Sequence, residues 1–295
     1  MQTTSNILMI RPVDFKFNLQ TADNNKFQTP TEGIDTQAKA LQEFDDFAAL
    51  LRNNEIDVTV VNDTLEPETP DSIFPNNWIS FHNNGEVFMY PMASENRRLE
   101  RREDIIELLS DSFEVKQVTD LSGFEEAAIF LEGTGSMVLD RDNKLAYACL
   151  SLRTDEQVLS NWCEKTGYKA ITFNADDKEG FPIYHTNVMM CVGDAFAVIC
   201  LESIQNPHER EMVMQHLIHT GKEIVEISID QMNQFAGNML QITNKKGESL
   251  LVMSEQAYLS LTKVQVFLLE KYCRLIYSPL YTIEKNGGGS ARCML

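Results

Sequence analysis

Basic residues are scarce in this chain. Its 295 residues include 25 lysines and arginines against 44 acids, giving a formal charge of −19 and a pI near 4.6. A field of that sign repels phosphate backbones and anionic lipid surfaces, so neither nucleic acid nor membrane is an expected partner. Long apolar runs are missing as well. None approaches the roughly 20 residues of a membrane span, and the opening MQTTSNILMIRPVDF has neither the basic flank nor the apolar core of a signal peptide. The expectation is a cytoplasmic protein. The six cysteines (Cys149, Cys163, Cys191, Cys200, Cys273 and Cys293) contain no C-x-x-C pair and no framework spacing, which argues against a zinc site or a disulfide scaffold. Histidine is sparse, with five in all. His216 and His219 stand three apart without a third ligand nearby, so no metal and no other cofactor is expected. His82, His208, His216 and His219 read as members of solvated faces.

What is present is a repeat. With 43% hydrophobic residues the chain can bury a sizeable core. Five stretches share one pattern of helix-like segment, polar turn and β-branched run: FAALLRNNEIDVTVV, IIELLSDSFEVKQVT, LSNWCEKTGYKAITF, MQHLIHTGKEIVEIS and VFLLEKYCRLIYSPL. Their closing strands recur about every 50 to 57 residues, the range of repeated supersecondary units. Between them lie hairpin-like pairs, NWISFHNNGEVFMYP, GSMVLDRDNKLAYACLS, NVMMCVGDAFAVICLES and NMLQITNKKGESLLVMS, each turning through Asn, Asp, Gly or Lys. A fifth hairpin can be assembled from the chain ends, NILMIRP and GGGSARCML, which would close a ring. The expected architecture is α/β, a five-bladed propeller of pseudo-fivefold ββαβ units forming one catalytic domain over residues 1–295. An ordinary α/β domain with accidental spacing is the alternative.

A ring has a centre, where the loops that begin each hairpin converge. Those loops are polar for strand entries: PDSIFPNNW, FLEGTGSM, YHTNVMM, FAGNML and GGGSARCML. Three of them offer a carboxylate, an imidazole and a thiol at equivalent places. Cys293 would attack as a thiolate, favoured by Arg292 and by amides of the glycine run, which can adopt positive φ and present the thiol. His185 would move protons, since histidine titrates near neutral pH. Glu132 would orient His185 or carry a second proton. Each also has a structural reading: a packed thiol, a core histidine, an acid accepting turn amides. Their joint occurrence at repeat-equivalent positions favours catalysis.

These residues resemble those of the amidinotransferase and arginine deiminase superfamily, the pentein propellers that attack guanidino or ureido carbons with a cysteine, and the resemblance spans nearly the whole chain. The Pro-Asp-x-x-Phe-x-Glu-Asp motif of dimethylarginine dimethylaminohydrolases is matched by PDSIFPNN, Ser-Arg-Arg-x-Glu by NRRLE, and Lys-Arg-Thr by LRTDE. The resemblance implies that Arg97 and Arg153 hold a substrate α-carboxylate, that Asp71 meets its α-amino group, and that Glu132, His185 and Cys293 are catalytic. Two departures matter. Where arginine-using relatives place acids, in Phe-x-Glu-Asp and in a His-x-Asp element, this chain has Asn76, Asn77 and Asn187. A buried guanidinium needs carboxylate partners, whereas a neutral ureido group is matched by amides, which both donate and accept. Through FPNNW, FLEGTGSM, YHTNVMMCVG and GGGSARCM the chain is most similar to the citrulline-utilisation hydrolases. The implied reaction is citrulline to ornithine, ammonia and carbon dioxide. An arginine or other guanidine hydrolase or an amidinotransferase is the alternative, and a non-catalytic binding module is the weakest reading. The partner is a small ureido or guanidino amino acid, and the sequence leaves a homo-oligomer open. Phe17 to Gly33 reads as a loop, either a lid over the channel or a surface connection.

Overall fold

Periodicity accounts for the longest helix. In Thr36–Asn53 the buried residues Ala40, Phe44, Phe47, Ala48 and Leu51 fall on one face, at the three- and four-residue spacing of an α-helix. Asp35 starts it by accepting from the Ala38 amide. Other helices begin in the same way: Asp155 caps Glu156–Thr166, and Asn206, followed by Pro207, caps Pro207–His219. The computed structural model describes residues 1–22, 25–29 and 35–295.

The fold is α/β, with fourteen strands in five small sheets among the described residues. The strands are β1 (Asn6–Arg11), β2 (Asp57–Asn62), β3 (Ile79–Phe81), β4 (Glu86–Met89), β5 (Gln117–Asp120), β6 (Val138–Asp140), β7 (Leu145–Cys149) and β8 (Lys169–Phe173). They continue with β9 (Met190–Val192), β10 (Phe196–Ile199), β11 (Glu223–Glu226), β12 (Leu240–Thr243), β13 (Ser249–Ser254) and β14 (Arg274–Ser278). Four sheets repeat one design. An antiparallel hairpin is followed by a helical crossover and a third strand parallel to the second, in the orders β3-β4-β5, β6-β7-β8, β9-β10-β11 and β12-β13-β14. All four expected hairpins and all five helix-then-strand segments form as read from the sequence.

The expected fifth hairpin does not form. Among the described residues β1 pairs only with β2, in parallel, on either side of the helix Thr36–Asn53. The segment GGGSARCML is not a strand: Tyr281–Gly287 is helical and Ala291–Met294 is a single 3₁₀ turn. The reason is local. Gly288 sits at φ +64 with the Asn25 and Gln28 side chains packed where a Cβ would stand, and the Cys293 amide closes a tight turn onto Ser290 O. Backbone bent this way cannot join a ladder. The N-terminal residues link sheets instead. Gln2 donates to Leu139 O and Val192 O, each at 2.9 Å, and Thr3 meets Thr243 at 2.6 Å.

The core is distributed among the units rather than gathered at one place. Phe44, Phe47 and Leu51 pack with Ile7 and Met9 of β1 and with Ile276 and Ile283, while Trp162 and Tyr147 anchor neighbouring units. One cavity of about 500 Å³ is walled by residues from β1, β3, β6, β9 and β12, the first strand of every sheet. No helix among the described residues is long and apolar enough to cross a membrane.

Phe44→Ala empties a fully buried site and should cost roughly 3–5 kcal/mol, whereas Phe267→Ala, at an exposed position, should change stability by less than about 0.5 kcal/mol. Urea midpoints of the two variants check this.

Candidate active site

Five short turns, four of them at hairpin entries, carry the polar residues. They are Pro75–Asn77, Gly133–Ser136, Thr186–Met189, residues 235–238 and Ala291–Met294. The first three pack in sequence and the last packs on the first. Glu132 is the residue before the second turn and His185 the residue before the third, so both leave the backbone at the same place in successive units. Cys293 lies inside the fifth turn.

Glu132 has no solvent exposure. Its Oε2 lies 2.8 Å from His185 Nε2 and 3.4 Å from Arg153, and its Oε1 accepts from the Ala93 amide at 3.0 Å. Burial alone would push this carboxyl up. Arg153, the His185 hydrogen bond and Arg97 more than offset that, and it is held well below the usual carboxylate range. Burial acts the other way on His185, lowering it to about 4 even though Glu132 pulls it up. At neutral pH the pair is an ionised carboxylate holding a neutral imidazole.

Amides surround the sulfur. Asn187 Nδ2 is 3.4 Å and Asn238 Nδ2 3.2 Å from Cys293 Sγ, and Asn238 is fixed because its Oδ1 accepts from the Arg292 amide at 3.1 Å while its Nδ2 also reaches Asn187 O. Two N–H groups aimed at one sulfur stabilise negative charge developing there. Sequence reasoning missed Asn238. The signal was present, since FAGNML is the fourth polar hairpin entry and its asparagine occupies the position of Asn187 in YHTNVMM.

Arg97 is not an open fork. Its Nε and Nη2 donate to Glu100 at 2.8 and 2.9 Å, and Nη1 donates to Asn77 Oδ1 at 2.8 Å, with Asp71 and Glu132 at 3.8 and 3.9 Å. The expectation of an arginine ready for a substrate carboxylate must therefore include Glu100, which holds that fork and was also missed. Its signal is the i,i+3 spacing within NRRLE on a helical turn. Burial lifts Glu100 to about 7, against the pull of Arg97. Arg153 lies over the Tyr184 ring at 5.0 Å besides meeting Glu132. Asp71 accepts from Asn18 at 2.7 Å and from Thr21 at 3.4 Å through Oδ2; its Oδ1 is buried without a partner, and burial raises its pKa.

The structure thus brings together Cys293 with Asn187, His185 with Glu132 and Arg153, and Arg97 with Asn77 and Asp71. Gly135 joins these groups, because a Cβ there would stand 2.4 Å from Asn77 Nδ2 and 2.9 Å from the His185 ring. Asn76 is set apart. It lies in the wall of the 500 Å³ cavity, with both side-chain polar atoms buried and unpartnered. His82 corrects an expectation: it is not on a solvated face but meets Ser80 at 3.0 Å and packs against Phe88 and Trp162, and burial lowers it to about 3. Among the described residues no cluster of three or more His, Cys, Asp or Glu could hold a metal ion.

Part of the segment Phe17 to Gly33 lies against this centre. Asn18 and Thr21 bond Asp71, Asn25 donates to Gly287 O and Gln28 to Asn286 O, each at 3.3 Å. Residues 23, 24 and 30–33 of that segment lie outside the described residues.

Known proteins share this arrangement of elements. ArgZ in its apo form, an arginine dihydrolase from the ornithine-ammonia cycle in cyanobacteria, superposes with a TM-score of 0.75 at 15% identity, over 98% of this chain and 40% of that one. The present chain therefore spans about two fifths of ArgZ. The N-terminal domain of ArgZ, as a cysteine-to-serine mutant bound to substrate, matches at 0.74 and 16% identity over 98% and 96% of the two chains. A dimethylarginine dimethylaminohydrolase variant, as an adduct with S-methyl-L-thiocitrulline, matches at 0.68 and 17% over 99% and 98%. At such identities these likenesses show the fold alone. No curated protein matches the chain by sequence. A family model described as "N,N dimethylarginine dimethylhydrolase, eukaryotic" matches residues 11–295. With that match running almost end to end, the chain belongs to this family of carbon–nitrogen hydrolases, within the amidinotransferase and arginine deiminase superfamily.

Proposed function

We propose that the chain is a cysteine-dependent hydrolase acting on the ureido group of citrulline, releasing ornithine, ammonia and carbon dioxide. The orientation of two amides carries this reading. Arg97, which can only donate, occupies Asn77 Oδ1, so Asn77 keeps its Nδ2 as a buried donor without a partner. Asn187 spends its Nδ2 on the sulfur and keeps Oδ1 as a buried acceptor without a partner. One free donor and one free acceptor suit a ureido group, which has a carbonyl oxygen and N–H groups. A guanidinium has N–H groups only and would set one against Asn77 Nδ2. Among the described residues no carboxylate is hydrogen-bonded to Cys293, and Glu132 is occupied by His185, Arg153 and the Ala93 amide.

In this reading Asp71 meets the α-ammonium with its free Oδ1, Arg153 takes the α-carboxylate, and Arg97, braced by Glu100, holds Asn77. Asn76 plays no direct part. Neutral His185 accepts the Cys293 proton and the thiolate attacks the ureido carbon. The imidazolium, steadied by Glu132, protonates the terminal nitrogen, which leaves as ammonia and generates a thiocarbamate. His185 then takes a proton from water, whose oxygen displaces the sulfur as thiolate, and the imidazolium returns that proton to Cys293. The resulting carbamic acid loses carbon dioxide to give ornithine. The five sheets are read as blades of one propeller domain, the described part of Phe17 to Gly33 as a lid, and the cytoplasm, where thiols stay reduced, as the setting for six free cysteines. A guanidino hydrolase is the second reading, favoured by the matched family and by the ArgZ likeness. Incubation with citrulline and with arginine, followed by assay of ornithine, citrulline and ammonia, separates the two.

Cys293→Ser and His185→Ala should each lower ornithine formation at least about a thousandfold with circular dichroism unchanged. Turnover by Cys293→Ser equal to the parent would sink the mechanism. Asn77→Asp with Asn187→Asp, in a Cys293→Ala background, should move the binding ratio toward arginine by about tenfold or more in competition calorimetry; an unmoved ratio removes the amide argument. His185 must be neutral to accept the thiol proton, and burial lowers it to about 4 from 6.5, so the acid limb of kcat/KM should fall near pH 4. A limb near 6.5 would mean that His185 titrates as if exposed.

A further inference from the structure

The cavity walled by the first strand of every sheet holds an unmatched charge. Its walls are apolar, with Leu8, Ile79, Leu139, Val192 and Leu240 among them, yet Arg141 and Arg292 also line it. Arg292 is buried, and its guanidinium donates to a single group among the described residues, Met190 O at 3.3 Å. Neither arginine forms an ion pair with a carboxylate among the described residues. The acids on the same wall are engaged elsewhere: Glu86 takes a hydrogen bond from Asn84 at 2.6 Å, and the exposed Glu114 pairs with Lys116 at 3.1 Å. Burial lowers the Arg292 pKa, the neighbouring Cys191 and Cys293 thiols act against that, and Arg141 adds to it. Asn76, buried with both polar atoms unpartnered, stands in the same wall.

A buried guanidinium facing another cation, without a carboxylate, costs free energy that an anion would offset. In a chain of charge −19 two such arginines on one cavity form a local exception. The volume of about 500 Å³ suits a small molecule, and the apolar walls suit an aliphatic body better than a fully hydrated ion. We propose that this axial cavity binds a short-chain aliphatic carboxylate, its carboxylate on Arg141 and Arg292 and its chain along the walls. The site is coupled to the nucleophile. The Arg292 amide fixes Asn238 Oδ1 at 3.1 Å, and Asn238 Nδ2 lies 3.2 Å from Cys293 Sγ, so a ligand that draws on Arg292 acts on a donor to the sulfur.

Calorimetric titration of the full chain with hexanoate and with inorganic phosphate tests the site, alongside alkylation of Cys293 by iodoacetamide followed by peptide mass spectrometry. Neither measurement requires citrulline to be the substrate. Hexanoate should bind one-to-one, more tightly than phosphate, and should change the alkylation rate at least about threefold. In Arg141→Gln, a partly exposed position outside the catalytic centre, hexanoate affinity should fall about tenfold or more and the effect on alkylation should vanish, while Arg153→Gln leaves hexanoate binding unchanged. Absence of hexanoate binding, binding that Arg141→Gln leaves intact, or phosphate binding as tightly as hexanoate overturns the proposal. Loss of binding in Arg153→Gln, with circular dichroism unchanged, overturns it by placing the carboxylate in the catalytic centre, and an alkylation rate indifferent to hexanoate overturns the coupling.

Discussion

A carboxylate shut off from water organises the centre of this molecule. Glu132 has to find every partner within the protein, and it does so with an imidazole, a guanidinium and a backbone amide supplied by three different stretches of chain. That demand sets the His185 ring and ties it to the Arg153 loop, while burial, against the pull of Glu132, keeps the imidazole neutral. Removing any one partner would leave a buried charge exposed to a low-dielectric surrounding, so the arrangement is held by the cost of its alternatives.

The amides around Cys293 obey the same accounting of donors and acceptors. An asparagine can present either end, and what decides the end is the neighbour that can do only one thing. Arg97 can only donate, and a backbone N–H can only donate, so Asn77 and Asn238 each commit Oδ1 and turn Nδ2 inward. Which end of each amide turns inward thus depends on second contacts: Glu100 holding Arg97, and the Arg292 amide holding Asn238.

Much of this was legible before any coordinates. Alternation and turn residues marked four hairpins because strand faces and tight turns impose local rules that each segment must satisfy alone. The helix-then-strand repeats were legible for the same reason. The fifth unit was misread: NILMIRP forms a strand, but its partner is β2 rather than GGGSARCML, whose glycine run before Cys293 folds into turns. His82 was misread too, because the polarity of HNNG says nothing about Trp162, which reaches it from another unit.

By itself the sequence determined the repeat, the polar turns and the presence of a thiol, an imidazole and an acid at equivalent turns, all of which depend on residues near one another in the chain. Tertiary structure alone decided that Asn238 joins Asn187 at the sulfur, which end of Asn77 turns inward, and that Arg292 lines a cavity without pairing with a carboxylate among the described residues. These are facts about groups tens to hundreds of residues apart or about which end of an amide turns inward. Only the packed neighbour that can donate but not accept settles them.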